Sequence, residues 1–194
     1  VNEFKNEMAC CAVKHSTPCG VAIGNSPVET YRKTFECDPI SIFGGIIAMN
    51  FKVDAATAEE LNKTFLEIVM ATDFDEAALE ILRKKKNLRI IKIKNPVSDQ
   101  QTWVKIDGGI LVQDNDNQFS EEIKTVTEIQ PTEEQKKALL FAQRVVKYVK
   151  SNAIVVSNGT QALGIGGGQV NRIWATEQAV NRAKQKFSGD LVLA

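Results

Sequence analysis

Histidine is nearly missing from this chain: His15 stands alone among 194 residues, with only four cysteines beside it. One imidazole and thiols at positions 10, 11, 19 and 37, none in a Cys-x-x-Cys pair, exclude a His/Cys zinc site, and no metal is called for. So sparse a set also excludes a disulfide framework. The four cysteines read as reduced structural thiols of a reducing compartment, which places the protein in the cytoplasm. Cys10 and Cys11 alternate faces of an extended segment, so one is expected in the core and the other beneath a helix. Net charge is absent too, 24 Lys and Arg against 24 Asp and Glu, which argues against a general binder of nucleic acid or of anionic membrane. The dense basic run from Arg83 to Lys94 has no aromatic residue interleaved and reads as a solvated edge at a helix C-terminus. Trp103 and Trp174 read as packing residues. No apolar stretch approaches the roughly 20 residues of a membrane span, and no signal-peptide pattern is visible.

What is present is an alternation of strands and helices, with 43% hydrophobic residues to build a core. An apolar strand over 8–13 precedes a helix over 27–36 that has Pro27 in its first turn. A nearly all-apolar strand over 42–49 suits a sheet covered on both faces. Thr57-x-x-Glu60 resembles a capping box for a helix within 54–63. A strand over 66–71, a helix over 75–85 and strands near 88–94 and 109–113 follow. Residues 114–130 are polar and read as a connection between lobes. Thr132-x-x-Gln135 then caps the longest helix, to about 150. Strands over 152–157 and 161–165, a glycine loop and a helix over 173–187 complete the pattern. It is an α/β sandwich.

Three places could carry chemistry. Lys14-His15 ends the first strand, with Pro18-Cys19-Gly20 read as the turn just after, at the kind of strand end where open α/β sheets place their sites. Lys14 is equally a solvated strand-end cation. Gly164-Ile-Gly-Gly-Gly168, followed by Gln169 and Arg172, would offer backbone N–H groups and a helix dipole to an anion; the plainer alternative is a tight turn needing positive φ. It lacks a Walker Lys-Ser/Thr and fits Rossmann spacing poorly, which sets aside nucleoside triphosphates and NAD. Gly44, Glu67 and Asn152 each have bland readings as a packing glycine, an exposed strand-edge acid and a turn residue.

Lys14-His-x-x-Pro-Cys-Gly-Val-Ala22 resembles the signature of AICAR transformylase, the formyl-transfer domain of the bifunctional purine-biosynthesis proteins. Further similar segments follow in the same order: Ser41–Ala48, Glu67–Ala71, Lys84–Arg89, Gly108–Gln113, Lys150–Ile154 and Gly164–Gln169 with Arg172. The resemblance implies cytidine-deaminase-like three-layer sandwich lobes, the chain being a fragment of a two-lobed domain: an incomplete first lobe over 1–125 and the start of a second over 126–194. It implies formyl transfer from 10-formyltetrahydrofolate, as co-substrate, to the 5-amino group of AICAR on the route to IMP. His15 would accept the proton and Lys14 would stabilise the transition state. Gly44, Glu67, Asn152 and Arg172 would bind AICAR, and Ile173 would lie on the folate side. It implies a homodimer acting on small molecules, with no nucleic-acid or membrane partner. Because Val1 is no initiator and the chain closes on the apolar run Leu191–Ala194, both ends are expected to continue, with an IMP cyclohydrolase domain upstream. The alternatives are an inactive structural or dimerisation fragment and, more weakly, a nucleobase deaminase. The deaminase lacks its Cys-x-x-Cys, and Thr17 stands where its Glu would be.

Overall fold

The computed structural model describes residues 1–94, 100–119 and 124–194. Its main sheet has the strand order β2-β1-β3-β5-β7, formed by β1 (Met8–Lys14), β2 (Thr17–Gly24), β3 (Gly45–Met49), β5 (Leu66–Ala71) and β7 (Arg89–Lys92). β1 runs antiparallel to both β2 and β3, while β3, β5 and β7 are mutually parallel. A smaller sheet, β11-β10-β12, uses β10 (Ile154–Ser157), β11 (Ala162–Gly166) and β12 (Val192–Leu193). It meets the outer strand β2 through an Ala22–Gln161 bridge. β4 (Lys52–Val53) and β6 (Asp73–Phe74) form a separate two-stranded parallel pair.

Helices cover both faces, giving three layers. α1 (Pro27–Cys37), α2 (Ala55–Asn62) and α3 (Glu76–Leu82) pack Tyr31, Ala58, Leu61, Ala78 and Leu82 against Cys10, Ala12, Ile47 and Val69 of the sheet. The opposite face, Ala9 and Val21, meets Phe4 and Phe141, Ala142 and Val145 of α4 (Glu133–Val146), which also covers Val155 of the smaller sheet. α5 (Arg172–Lys184) packs Ala179 and Ala183 on Val156 and Leu163. Period-two alternation sends Cys10 to one core and Cys11 toward the other. Each fully buried Leu or Val in these clusters contributes about 1.5–3 kcal/mol.

Local chemistry sets the helix starts. Ser26 caps α1 ahead of Pro27, and Thr132 with Gln135 forms a reciprocal capping box on α4. The expected box at Thr57 is corrected: Asp54 is the N-cap, accepting from Thr57 N–H at 2.8 Å, and Thr57 lies a turn in, fully buried. Ahead of β1 the chain forms a series of turns. Asn50 pins it, accepting from Ala9 N–H and donating to the Phe4 and Glu7 carbonyls at 2.8–2.9 Å. The strand expected over 42–49 begins only at Gly45, because Asp38 accepts from the Ile40 and Ser41 N–H groups and the Ser41 hydroxyl, holding a turn there. α4 ends at Val146, four residues short of expectation.

β8 (Gln101–Ile106) is among the elements that differ from expectation. It pairs with β9 (Gly109–Asp114) around an Asp107-Gly108 turn with Gly108 at φ 75°. Both strands are exposed along their whole length. Trp103, Ile110 and Val112 face one way and Val104, Ile106 and Leu111 the other. Trp103 is 64% exposed and Trp174 51%, so neither is a core packing residue. Of the expected connection over 114–130, residues 120–123 lie outside the described residues.

Candidate active site

β1 passes to β2 in two residues. Lys14 pairs with Thr17, leaving His15 and Ser16 as the turn, at φ 50° and 61°. Consecutive positive φ angles are what a two-residue hairpin needs for its twist to match its strands. Asn-Gly usually meets that need; His and Ser meet it here at roughly 1–2 kcal/mol each. The turn had been expected at Pro18-Cys19-Gly20, and that is corrected. These residues are strand, and Pro18 fits because β2 is an outer strand and the next residue, Cys19, is the extra residue of a bulge, since Ala12 aligns with Gly20 and Val13 with Pro18. His15 and Ser16 are exposed at the apex.

Lys14 reaches sideways, and its ammonium donates to the Phe43 carbonyl. Next to it Gly44, at φ 67°, donates its N–H to the Phe65 carbonyl at 2.7 Å. A Cβ on Gly44 would stand 3.4 Å from Lys14 Nζ and 3.5 Å from the Phe65 ring, which itself packs at 5.4 Å from Phe43. Two residues beyond Phe65, Glu67 is the extra residue of a bulge, since Gly45 aligns with Leu66 and Ile46 with Ile68. Its carboxylate accepts from Arg89 at 2.8 Å. Lys14, Gly44 and Glu67 therefore line one edge of the main sheet. That edge holds the amino ends of β3, β5 and β7, because β1 runs against them. It is the reverse of the carboxyl-end placement expected of open α/β sheets.

Asn152 belongs to a second group. Its backbone N–H and its Nδ2 both donate to the Gln169 carbonyl, at 3.0 and 2.9 Å. Gly168 N–H donates to the Lys150 carbonyl at 2.6 Å and Gln169 N–H to the Asn152 carbonyl at 3.4 Å. The glycine loop's N–H groups at 168 and 169 are thus taken by the chain itself, which corrects the expectation of a free anion nest there. Gly164 and Gly166 lie inside β11, where a Cβ would come within 1.9 Å of Ala179 O and 2.1 Å of Ala175 O. They serve close packing of α5 on β11. Asn171 caps α5, accepting from Ile173 N–H at 2.8 Å. Arg172 and Ile173 open the helix exposed, and among the described residues no hydrogen bond or ion pair takes up the Arg172 guanidinium. Nor does any, among those residues, join this group to the Lys14 group.

Residues 1–182 match the family described as AICARFT/IMPCHase bienzyme. The chain belongs to that family. It is 56% identical over 195 residues to a "Bifunctional purine biosynthesis protein PurH" of Fusobacterium nucleatum, covering 100% of this chain and 38% of that relative. It is 61% identical over 183 residues to the protein of the same name in Clostridium botulinum, covering 94% of this chain and 36% of the relative. The chain thus spans somewhat over a third of the length of these curated relatives. Among solved structures, a dCMP deaminase from the cyanophage S-TIM5 overlaps 44% of this chain and 79% of its own at 8% identity and a TM-score of 0.37. An overlap that slight carries no weight for fold or chemistry.

Within this AICARFT/IMPCHase family chain the thiols are not poised to react. Burial pushes Cys11 and Cys19 up to about 11, Cys37 to about 12 and Cys10 further still. Among the described residues no cluster of His, Cys, Asp and Glu could hold a metal ion, and no helix is long and apolar enough to cross a membrane. Sequence reasoning passed over Phe65 and Arg89, which complete the Lys14 edge. Arg89 sat in a run read as solvated, and only the pairing of β5 with β7 sets it beside Glu67.

Proposed function

We propose that this chain is part of an AICAR transformylase, transferring a formyl group from 10-formyltetrahydrofolate to the 5-amino group of AICAR in the purine route to IMP. The observation that supports this most is His15 on a strained two-residue turn directly after Lys14, whose ammonium lies beside Gly44, in a chain of the AICARFT/IMPCHase family. The acceptor amine, attached to an electron-withdrawing imidazole ring, is a poor nucleophile. As its nitrogen attacks the formyl carbon, His15 takes the proton that must leave. The tetrahedral oxyanion faces the Lys14 ammonium, which has three donors and gives one to Phe43. Collapse breaks the bond from the formyl carbon to the folate nitrogen, which regains a proton, giving formyl-AICAR and tetrahydrofolate. Gly44, Glu67, Asn152 and Arg172 hold the nucleotide, and Ile173 lies on the folate side. The two-lobe division at 125/126, the cytoplasmic location and the IMP cyclohydrolase activity of the longer protein belong to the same proposal.

The test is formyl transfer by the full-length protein carrying this chain, supplied with AICAR and 10-formyltetrahydrofolate. A folded full-length protein with no transfer would sink the proposal. Arg172→Ala should weaken AICAR binding about 10- to 100-fold, because a guanidinium at a helix start contributes ground-state charge pairing. Calorimetry showing folate affinity lost and AICAR affinity intact would put the nucleotide elsewhere.

The partner proposed is a second copy of the chain. The β8–β9 hairpin exposes apolar side chains on both faces, and an isolated two-stranded ribbon is marginal in water. The 194-residue chain alone is expected to self-associate in light scattering and to show no measurable transfer, having little over a third of its relatives' length. Trp103→Ser with Leu111→Ser should shift it toward monomer. A monomer turning over at the full-length rate would overturn both expectations.

A further inference from the structure

We propose that Arg89 is the positioning residue for Glu67, fixing the direction in which that carboxylate meets the nucleotide; this rests on the reading that Glu67 binds AICAR. Glu67 is the unpaired residue of the β5 bulge, so the β3 ladder does not fix its backbone as it fixes Leu66 and Ile68. Bulges next to sites re-aim side chains, and a re-aimed side chain needs an anchor of its own. Arg89 supplies it. As the first residue of β7 it aligns with Ile68, one position along, and its Nη1 donates to Glu67 Oε2 at 2.8 Å. Two other cations of the same basic run are engaged elsewhere: Lys85 on the Thr64 carbonyl and Lys92 on Asp73, each at 2.6 Å. Only one Glu67 oxygen is engaged by this bond, which leaves Oε1 to accept from a ligand hydroxyl or amide. The rigid guanidinium gives that single bond a set direction, where a lysine would act as a point charge.

The pair is exposed on both sides, so its effect is small and local. Arg89→Ala is expected to weaken AICAR affinity about 2- to 5-fold, within the range for exposed pairs. KM for AICAR should rise by the same factor, with kcat, folate affinity and melting temperature unchanged. Arg89→Lys should recover part of the loss. The decisive measurement is a double-mutant cycle on AICAR affinity in the full-length protein, by calorimetry with Glu67→Gln, Arg89→Ala and the double variant. If Glu67→Gln and Arg89→Ala each weaken binding and the double variant binds no more weakly than Glu67→Gln alone, Arg89 acts through Glu67. If Glu67→Gln weakens binding but Arg89→Ala has no effect, or the two effects add, the positioning role is wrong and the Glu67 reading stands. If Glu67→Gln leaves AICAR affinity intact, the Glu67 reading fails and this inference with it.

Discussion

Replacing His15 by alanine in the full-length protein should lower formyl-transfer turnover by about 10²–10⁴-fold, the span usual for removal of a general base. AICAR binding should survive within a modest factor, because His15 stands at the tip of the turn and the nucleotide contacts are assigned to other residues. Alanine brings a complication. At φ 50° it tolerates the left-handed region less well than histidine does, so some loss could arise from a disturbed hairpin. Asparagine separates the two effects. It adopts that region readily and keeps the two-residue turn, but no imidazole remains to take the proton. His15→Asn should therefore lose turnover as severely as His15→Ala while melting like the parent protein. Near-normal turnover in the asparagine variant would remove His15 from the mechanism.

The second large effect is on stability. Gly166→Ala should cost about 3 kcal/mol, at the upper end for overpacking, and lower the melting temperature of a chain this size by about 6–12 °C. A methyl there would lie 2.1 Å from the Ala175 carbonyl oxygen, a backbone atom with no rotamer to escape into. α5 would have to lift from β11, stripping Ala179 and Ala183 from Val156 and Leu163. Since α5 begins with Arg172 and Ile173, nucleotide affinity should fall alongside stability. Gly168→Ala is the matched control. Nothing lies within 4 Å of its would-be Cβ, but its φ is 67°, so the cost is confined to backbone strain of roughly 1–2 kcal/mol. Melting of the Gly166→Ala variant within a degree of the parent would refute the close-packing role given to this glycine.

Much of the fold was legible because its signals are local. Pro27 in a first turn and the box Thr132-x-x-Gln135 mark helix starts within one turn of chain, and the structure starts α1 and α4 there. The alternation at Cys10-Cys11 follows from strand geometry alone, and the two thiols do face different cores. Where two local signals competed, the sequence misled. Asp54 and Thr57 are both good cap residues, and the structure takes Asp54, with Thr57 fully buried a turn into the helix. Pro18-Cys19-Gly20 has the composition of a turn, yet the ladder from Met8–Gly24 to Lys14–Thr17 carries it as strand and forces the turn onto His15-Ser16. The β8 strand was missed; among the described residues its one strand partner is β9.

By itself the sequence determined the α/β class, the family resemblance and the residue types available for chemistry, including a single imidazole next to a lysine. Those depend on composition, short-range periodicity and motif order, all of which survive without knowing what lies opposite what. Tertiary structure alone decided which side of the sheet carries Lys14, because that depends on β1 running antiparallel to β3. It decided that Gly164 and Gly166 serve a helix, because only the docked α5 puts a carbonyl within 2.1 Å of each would-be Cβ. It also brought Arg89 to Glu67 across 22 residues of chain, through the parallel register of β5 and β7. Each is a long-range relation in which the energy lies in the contact, and neither partner's local sequence encodes the other's position.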